Sequence, residues 1–411
     1  MSSLPLEGIR ILDLSMWWSG PMCNSYLGAL GAEVIKVESI QFPDGFRYTM
    51  APPGEKDWWE LGPQFNAANM NKLGLTLNLN DPEGRELFKD LVAKSDVVVE
   101  NFSPRVMGNF GLTYEKLQEV NPRIIMVSMP AYGSSGPYRD MPGFAYTFEI
   151  LSGIAQTNGY EGENPMIISG VGDVIASFHC AYGLLAALEY RAESGKGQHM
   201  EIAQSEACAN LVGQPIIDAS MNNRNWERVG NRHPTIAPQG VYPSKGTDRW
   251  VAISVQNDDE WKTFCKVIGR PELANDSRFH TNEGRNQHHN ELDQLISSWT
   301  IQLDHHESAT ILQDAGISAG PVLEVDEMEN DPFLSGMYQE VSRECTGTHL
   351  FPSWPVKFSE ARLEHHSPAP TLGQHNDYVL KAILGLSDER IQFLEQNEII
   401  GNQPLGAKIS K

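Results

Sequence analysis

Two short runs decide how this chain folds: GIRILDL (Gly8–Leu14) and EVIKVE (Glu33–Glu38). The first is apolar and β-branched over a length suited to a strand buried on both faces. The second alternates as a strand does. Between them, Pro21–Leu30 is compatible with a helix, and Gly31 stands where a helix C-terminus favours glycine. Working outward, Asp81-Pro82 offers a side-chain cap and a first-turn proline to an amphipathic helix over Gly84–Lys94. DVVVE (Asp96–Glu100) and RIIMVS (Arg123–Ser128) are further strands. Repeated strand–helix–strand units predict right-handed crossovers and a largely parallel, helix-covered sheet. Asp173–Arg191 predicts a buried helix that stops at Ser194-Gly195-Lys196-Gly197.

A length of 411 residues exceeds one simple core and predicts two domains. The composition changes near Asn222, where NNRNWERVGNRHPTIAP (Asn222–Pro238) is polar and poor in strand formers. Beyond it come a strand at Trp250–Val255 and helices over Asp258–Ile268, Glu283–Ser298 and Glu307–Ala315, a smaller mixed domain. From Phe351 the chain is proline-rich, and it closes with helices at Asp377–Leu384 and Asp388–Glu395.

With 31 Lys and Arg against 53 Asp and Glu, the net charge of −22 argues against nucleic acid and against an anionic membrane surface. No run approaches the roughly 18 uninterrupted apolar residues of a membrane span. Met1–Gly8 has no basic region leading into an apolar stretch, so no signal peptide is expected. Cys23, Cys180, Cys208, Cys265 and Cys345 are an odd number, widely spaced and without a CxxC pair. They predict buried free thiols rather than disulfides or a thiolate metal site. A cytoplasmic location is the expectation.

The chain has no GxxxxGK[ST], no GxGxxG between strand and helix, and no GxSxG elbow. The pairs His288-His289, His305-His306 and His365-His366 are adjacent rather than one turn apart, which predicts solvated side chains and no metal. What remains is polar loops assigned to the carboxyl ends of strands, where open α/β sheets bind ligands. These are Asp44-Gly45-Phe46-Arg47, Asn71-Lys72, Asn101-Phe102 and the stretch from Tyr132 to Asp140. Guanidinium and ammonium groups suit phosphates, and a phosphorylated ligand is one reading; solvated surface charge is the other.

PLEGIRILDLS, GALGAEVIKVE, DGFR, NMNKLGLTLNLNDPEGRELFKDLVAKSDVVVENFSP, YGSSGPYRD, DVIASFHCAYGLLAALEYRAESGKGQHMEIAQSEA and GNRHPTIAPQGVYP resemble the family III CoA-transferases. That family also takes in α-methylacyl-CoA racemases, and the resemblance covers nearly the whole chain. It implies an α/β fold, with a Rossmann-like large domain built from residues 1–222 and a return segment 331–411. Residues 223–330 would form a smaller mixed α/β domain, and two subunits would interlock. Coenzyme A or an acyl-CoA would be the substrate, with a carboxylic acid as second substrate. Carried onto this sequence, Arg47, Asn71, Lys72, Asn101 and Phe102 would line the CoA groove. Arg139 would lie near the thioester. Where the family usually has arginine after the asparagine–aromatic pair, this chain has Ser103, with Arg105 two places on.

The resemblance also implies an aspartate nucleophile after Gly-Phe or Gly-Tyr. Here the run is Met141-Pro142-Gly143-Phe144-Ala145, and alanine offers no nucleophile. Two carboxylates are candidates to stand in. Glu149 is one helical turn beyond Ala145, and Asp173 opens the next long helix, where capping is its bland role. Three functions follow: an active CoA-transferase using Glu149; a non-catalytic subunit paired with a similar, aspartate-bearing chain; or a racemase, disfavoured by Phe144 where a histidine base is required. The oligomer would be a homodimer or that heterodimer. Trp17 and Trp18 have two readings, a wall for a bulky acyl group and plain core packing.

Overall fold

The computed structural model describes residues 4–52 and 54–406. The chain divides into two compact units, one of residues 4–154, 167–217 and 337–406, the other of 155–166 and 218–336. The segment 155–166, which the sequence boundaries assign to the large domain, belongs to the second unit.

The first unit is built on a six-stranded parallel sheet: β1 (Arg10–Asp13), β2 (Glu33–Glu38), β3 (Lys72–Thr76), β4 (Val97–Glu100), β5 (Ile125–Ser128) and β6 (His199–Glu201). Their order is β3-β2-β1-β4-β5-β6, the doubly wound arrangement. Strand alternation sends Leu12, Ile35, Leu75, Val98 and Met126 to one face, under Phe88, Leu91, Leu380 and Leu394. The other face carries Ile11, Val34, Val97, Val99 and Val127, covered by helix α1 (Ser19–Ala29) through Cys23 and Leu27. Ala176, Cys180 and Leu184 of a later long helix complete that layer. All five cysteines are free thiols.

That long helix runs Val171–Ser194 and is long and apolar enough to cross a membrane by length and composition, a feature the search for uninterrupted apolar runs passes over. One face of it lies on the sheet, so it serves here as a core helix. Two further elements escape sequence reading. β6 is a three-residue edge strand, and the return segment carries an antiparallel hairpin, Tyr338–Arg343 with Gly347–Pro352.

The second unit has a three-stranded antiparallel sheet, β7 (Gln239–Pro243), β8 (Trp250–Ser254) and β9 (Ser318–Val322), in that order. Trp261 and Phe264 of helix Asp258–Val267, Leu292 and Ile296 of helix His289–Thr300, and Leu312 form its core. The helix expected over Glu283–Ser298 is broken at His288 into Asn282–Gln287 and His289–Thr300.

Buried ion pairs fix the first unit internally. Lys72 Nζ lies 2.8 Å from Asp13 Oδ2, and Lys36 Nζ 2.8 Å from Asp44 Oδ2, all four side chains fully buried. Burial alone would raise the Asp13 carboxyl, but Lys72 and Lys36 carry it below the ordinary carboxylate range. Arg47 pairs with Glu38 and Glu60, each at 2.7 Å, and stands 3.7 Å over the Phe65 ring. Glu60 also accepts from Arg343 at 2.6 Å and from the Leu372 N–H at 2.8 Å, which ties the return segment to the N-terminal strands. Removing one partner of such a pair leaves an uncompensated buried charge. Glu60→Ala should therefore lower stability by about 3–5 kcal/mol. Glu33→Ala, which breaks a partly exposed pair with Arg10, should cost under about 1 kcal/mol. Urea denaturation midpoints of the two variants check this, and equal midpoints would contradict it.

Candidate active site

The carboxyl ends of β1, β2, β3 and β4 open into a cavity of about 320 Å³. Leu14 and Met16 after β1, Val37 and Ser39 at the end of β2, Asn78 after β3 and Phe102 after β4 line it. It lies where the strand order reverses between β1 and β4, the position at which doubly wound sheets bind ligands. Phe102 offers a ring to it. Asn101 stands behind, accepting the Met16 N–H at 2.8 Å and donating to the Met16 carbonyl at 2.7 Å, so it clamps the loop after β1.

Other residues expected at the groove are placed elsewhere. Arg47 is completely buried, with Glu38, Glu60 and the Pro370 carbonyl around its guanidinium, and presents no face to a phosphate. Lys72 opens β3 rather than following a strand, and its ammonium is spent on Asp13, Asn69 and the Pro21 carbonyl. Asn71, at φ 62°, takes the N–H groups of His366 and Ser367 and so holds the return segment. Arg139 is an exposed turn residue, 3.6 Å from Asp140. Arg105 lies in the open at the start of the short helix Arg105–Phe110, beside the cavity-lining Val106.

The two candidate carboxylates part company. Glu149 lies in helix α2 (Ala145–Leu151) and is wholly buried. Its oxygens accept the N–H groups of Ser169 at 3.1 Å, Gly170 at 2.8 Å and Gly172 at 3.2 Å, which closes off helix α3 (Val171–Ser194) at its N-terminus. Two glycines make this possible. Gly170 has φ 116° with the Trp18 ring against it, and a Cβ on Gly172 would meet the Phe148 ring at 2.6 Å. Glu149 is therefore a buried cap, with no open oxygen to attack a thioester.

Asp173 is the third residue of α3, not its N-cap, and is only partly buried. Ser19, the first residue of α1, lies beside it and favours its ionised form. No side chain caps α1, and Asp173 lies in the first turn of α3. The Ser177 hydroxyl locks the junction by donating to the Ser19 carbonyl at 2.6 Å. Burial first, and the Glu149 charge second, push Asp173 up to about 7, while Ser19 pulls the other way. Nearby, Trp17 stands edge-on to Phe46 at 5.7 Å and to Phe144 at 5.6 Å. Ser19 is the residue the sequence reading passes over. Its signal is Ser19-Gly20-Pro21 opening a helix directly after the first strand.

This frame can be compared with known proteins. The profile of CoA-transferase family III matches residues 6–376. The chain belongs to that family. Its activity is CoA transfer. A succinyl-CoA–D-citramalate CoA-transferase of Chloroflexus aurantiacus is 32% identical, over 96% of this chain and 98% of its own. The beta subunit of a succinyl-CoA–L-malate CoA-transferase from the same organism is 31% identical, over 97% and 99%. Among solved structures, a CaiB/BaiF family protein from Brucella suis superposes with a TM-score of 0.85 at 30% identity, covering 93% of this chain and all of that one.

The raised Asp173 value has a signed consequence for stability. Between the ordinary aspartate range and about 7, the unfolded chain gives up this proton while the folded chain keeps it, so stability falls as pH rises through that window. Asp173→Asn should hence stabilise the protein by about 2 to 4 kcal/mol at pH 8 and leave it nearly unchanged at pH 4. Paired melting curves at the two pH values are the check, and a destabilised variant at pH 8 would refute the assignment.

Proposed function

We propose that Asp173 is the nucleophile and that this chain alone carries out CoA transfer from an acyl-CoA, such as succinyl-CoA, to a carboxylic acid. The observation that carries this reading is a carboxyl left partly open in the first turn of α3, beside Ser19 at the start of α1, while Glu149 is wholly buried. The loop between β1 and α1 also lines the cavity through Leu14 and Met16. The adenosine end of CoA would lie in that cavity against Phe102, with Arg105 as a phosphate partner. The acyl group would lie against Trp17 and Phe144, rings that suit an apolar body.

The chemistry balances without a metal-bound step. An Asp173 oxygen attacks the thioester carbonyl, and the C–S bond breaks to give CoA thiolate and a mixed anhydride. The thiolate then attacks the Asp173 carbonyl carbon, releasing the first acid as its carboxylate and leaving an aspartyl-CoA thioester. The acceptor carboxylate repeats the sequence in reverse, leaving with CoA and restoring Asp173.

With Asp173 in this role, Ala145 no longer motivates a catalytic partner chain. The subunit arrangement proposed is a homodimer. α3 carries an apolar face away from the sheet, with Phe178, Tyr182, Leu185 and Tyr190 all exposed, and a second copy is the occupant that the family's interlocked dimer supplies.

Incubation with succinyl-CoA should leave a hydroxylamine-sensitive CoA adduct on the peptide bearing Asp173 and none on that bearing Glu149. Asp173→Asn should lower kcat on the order of 10³-fold or more. In wild type, kcat/KM should rise about tenfold per pH unit below about 7 and level off above it. An adduct on Glu149 would overturn the proposal.

The purified chain, expressed alone, should run as a dimer by light scattering and be active. Tyr182→Glu should shift it toward inactive monomer or insoluble material. Activity that appears only after a second, similar chain is added would favour the heteromeric reading.

A further inference from the structure

His305 and His306, adjacent in sequence, converge on one carboxylate in the second unit. They are the first two residues of helix His305–Asp314, whose N-cap Asp304 accepts the His306 N–H at 2.9 Å. The two rings tilt together with centroids 4.4 Å apart. Glu327, from the short helix Val325–Met328, reaches them: its Oε1 is 3.2 Å from His305 Nε2 and 3.9 Å from His306 Nε2. Ligand atoms of all three lie within 4.8 Å of one another, the one such cluster among the described residues.

The surroundings of His305 argue for a cation. Its side chain is only 2% exposed, and a carboxylate oxygen faces each ring nitrogen: Glu327 at Nε2, and Asp304 Oδ2 3.4 Å from Nδ1, which has no hydrogen-bond partner. A neutral imidazole has one N–H. Either tautomer therefore leaves a lone pair pointing at a carboxylate. A metal on Nε2 with Nδ1–H turned to Asp304 relieves this, the carboxylate–histidine–metal relay. The remaining Glu327 oxygen is already held, accepting the Glu324 N–H at 2.8 Å. Asp304, Glu324 and Asp326 make the neighbourhood negative, with Arg249 paired to Glu324.

We propose that His305, His306 and Glu327 bind one divalent transition-metal ion of the zinc class per chain, with water completing a tetrahedral site. Zinc bonds of roughly 2.0–2.2 Å put neighbouring ligands about 3.3 Å apart, so the present spacings need only small rotations. Two imidazoles and one carboxylate favour zinc over calcium or magnesium. The ion would strap the segment after β9 to the helix at His305, a structural tie within the second unit.

Zn²⁺ titrated into chelator-treated, full-length protein should bind with one equivalent per chain by calorimetry and raise the melting temperature by several degrees. His306 is 46% exposed in its side chain, so His306→Asn keeps the fold and should weaken binding at least tenfold. Co²⁺ in the wild type should give the visible absorption of a tetrahedral site, lost in His306→Asn and retained in His349→Asn, a surface control. His305→Gln should also abolish the one-equivalent binding. Absence of saturable binding, or equal binding by His306→Asn, would overturn the site.

Discussion

The fold of the first unit depends on a run of charges taken out of water together. Asp13, Glu38, Asp44 and Glu60 meet Lys36, Arg47, Lys72 and Arg343, every one of them buried. Isolated, each would carry a desolvation penalty of several kcal/mol. Here the remaining hydrogen-bonding positions are filled as well, by the Pro21 and Pro370 carbonyls, Asn69 and the Leu372 N–H. Such a network tolerates one arrangement of its parts. It sets β1 against β2 and β3, fixes the loop from Asp13 to Ser19, and recruits residues from 343 to 372 into the same core. Ser19 stands where it does because that loop is clamped from within.

The Asp173 carboxyl depends on this frame at one remove. Glu149 and Asp173 are both acids near the start of α3, and burial divides their work. The deeper one takes three backbone N–H groups and becomes part of the helix end. The shallower one keeps an open side and carries the strain of a neighbouring negative charge. Asp173 is thus held in an environment that disfavours its ionised form, at a cost to stability. Ala145, so conspicuous in the sequence, sits at the first turn of α2 and has no bearing on that division.

The sheet was readable in the sequence because its strands are buried on both faces, and continuous apolar runs such as Val97–Val99 suit little except a strand with helices above and below it. β6 and the hairpin at Tyr338 escaped because a three-residue edge strand and a polar ribbon carry no such signature. Of the candidate residues named in the sequence, Phe102 lines the cavity and Asp173 lies in the first turn of α3. Arg47 and Lys72 could not be told from ligand-binding cations, because their partners lie at Glu60, Arg343 and Asp13, far away in the chain. Likewise, ranking Glu149 against Asp173 required the 20-residue jump that brings Ser169 back onto Glu149. Adjacent histidines look unsuited to a common ligand until Glu327 is folded against them.

The return segment has a consequence for how the protein is made. The Thr76 hydroxyl donates to the Gly401 carbonyl at 2.6 Å, and its N–H is taken by Asn376 at 2.9 Å, so the edge of the sheet at β3 is closed by residues near the end of the chain. During synthesis, the second unit can complete its own antiparallel sheet while the first still waits for its last strands and helices. Until then Glu60 and Arg47 lack Arg343, and the apolar face beneath Leu380 and Leu394 is bare. A ribosome stalled near residue 340 would hold every residue of the second unit and a first unit still without its return segment.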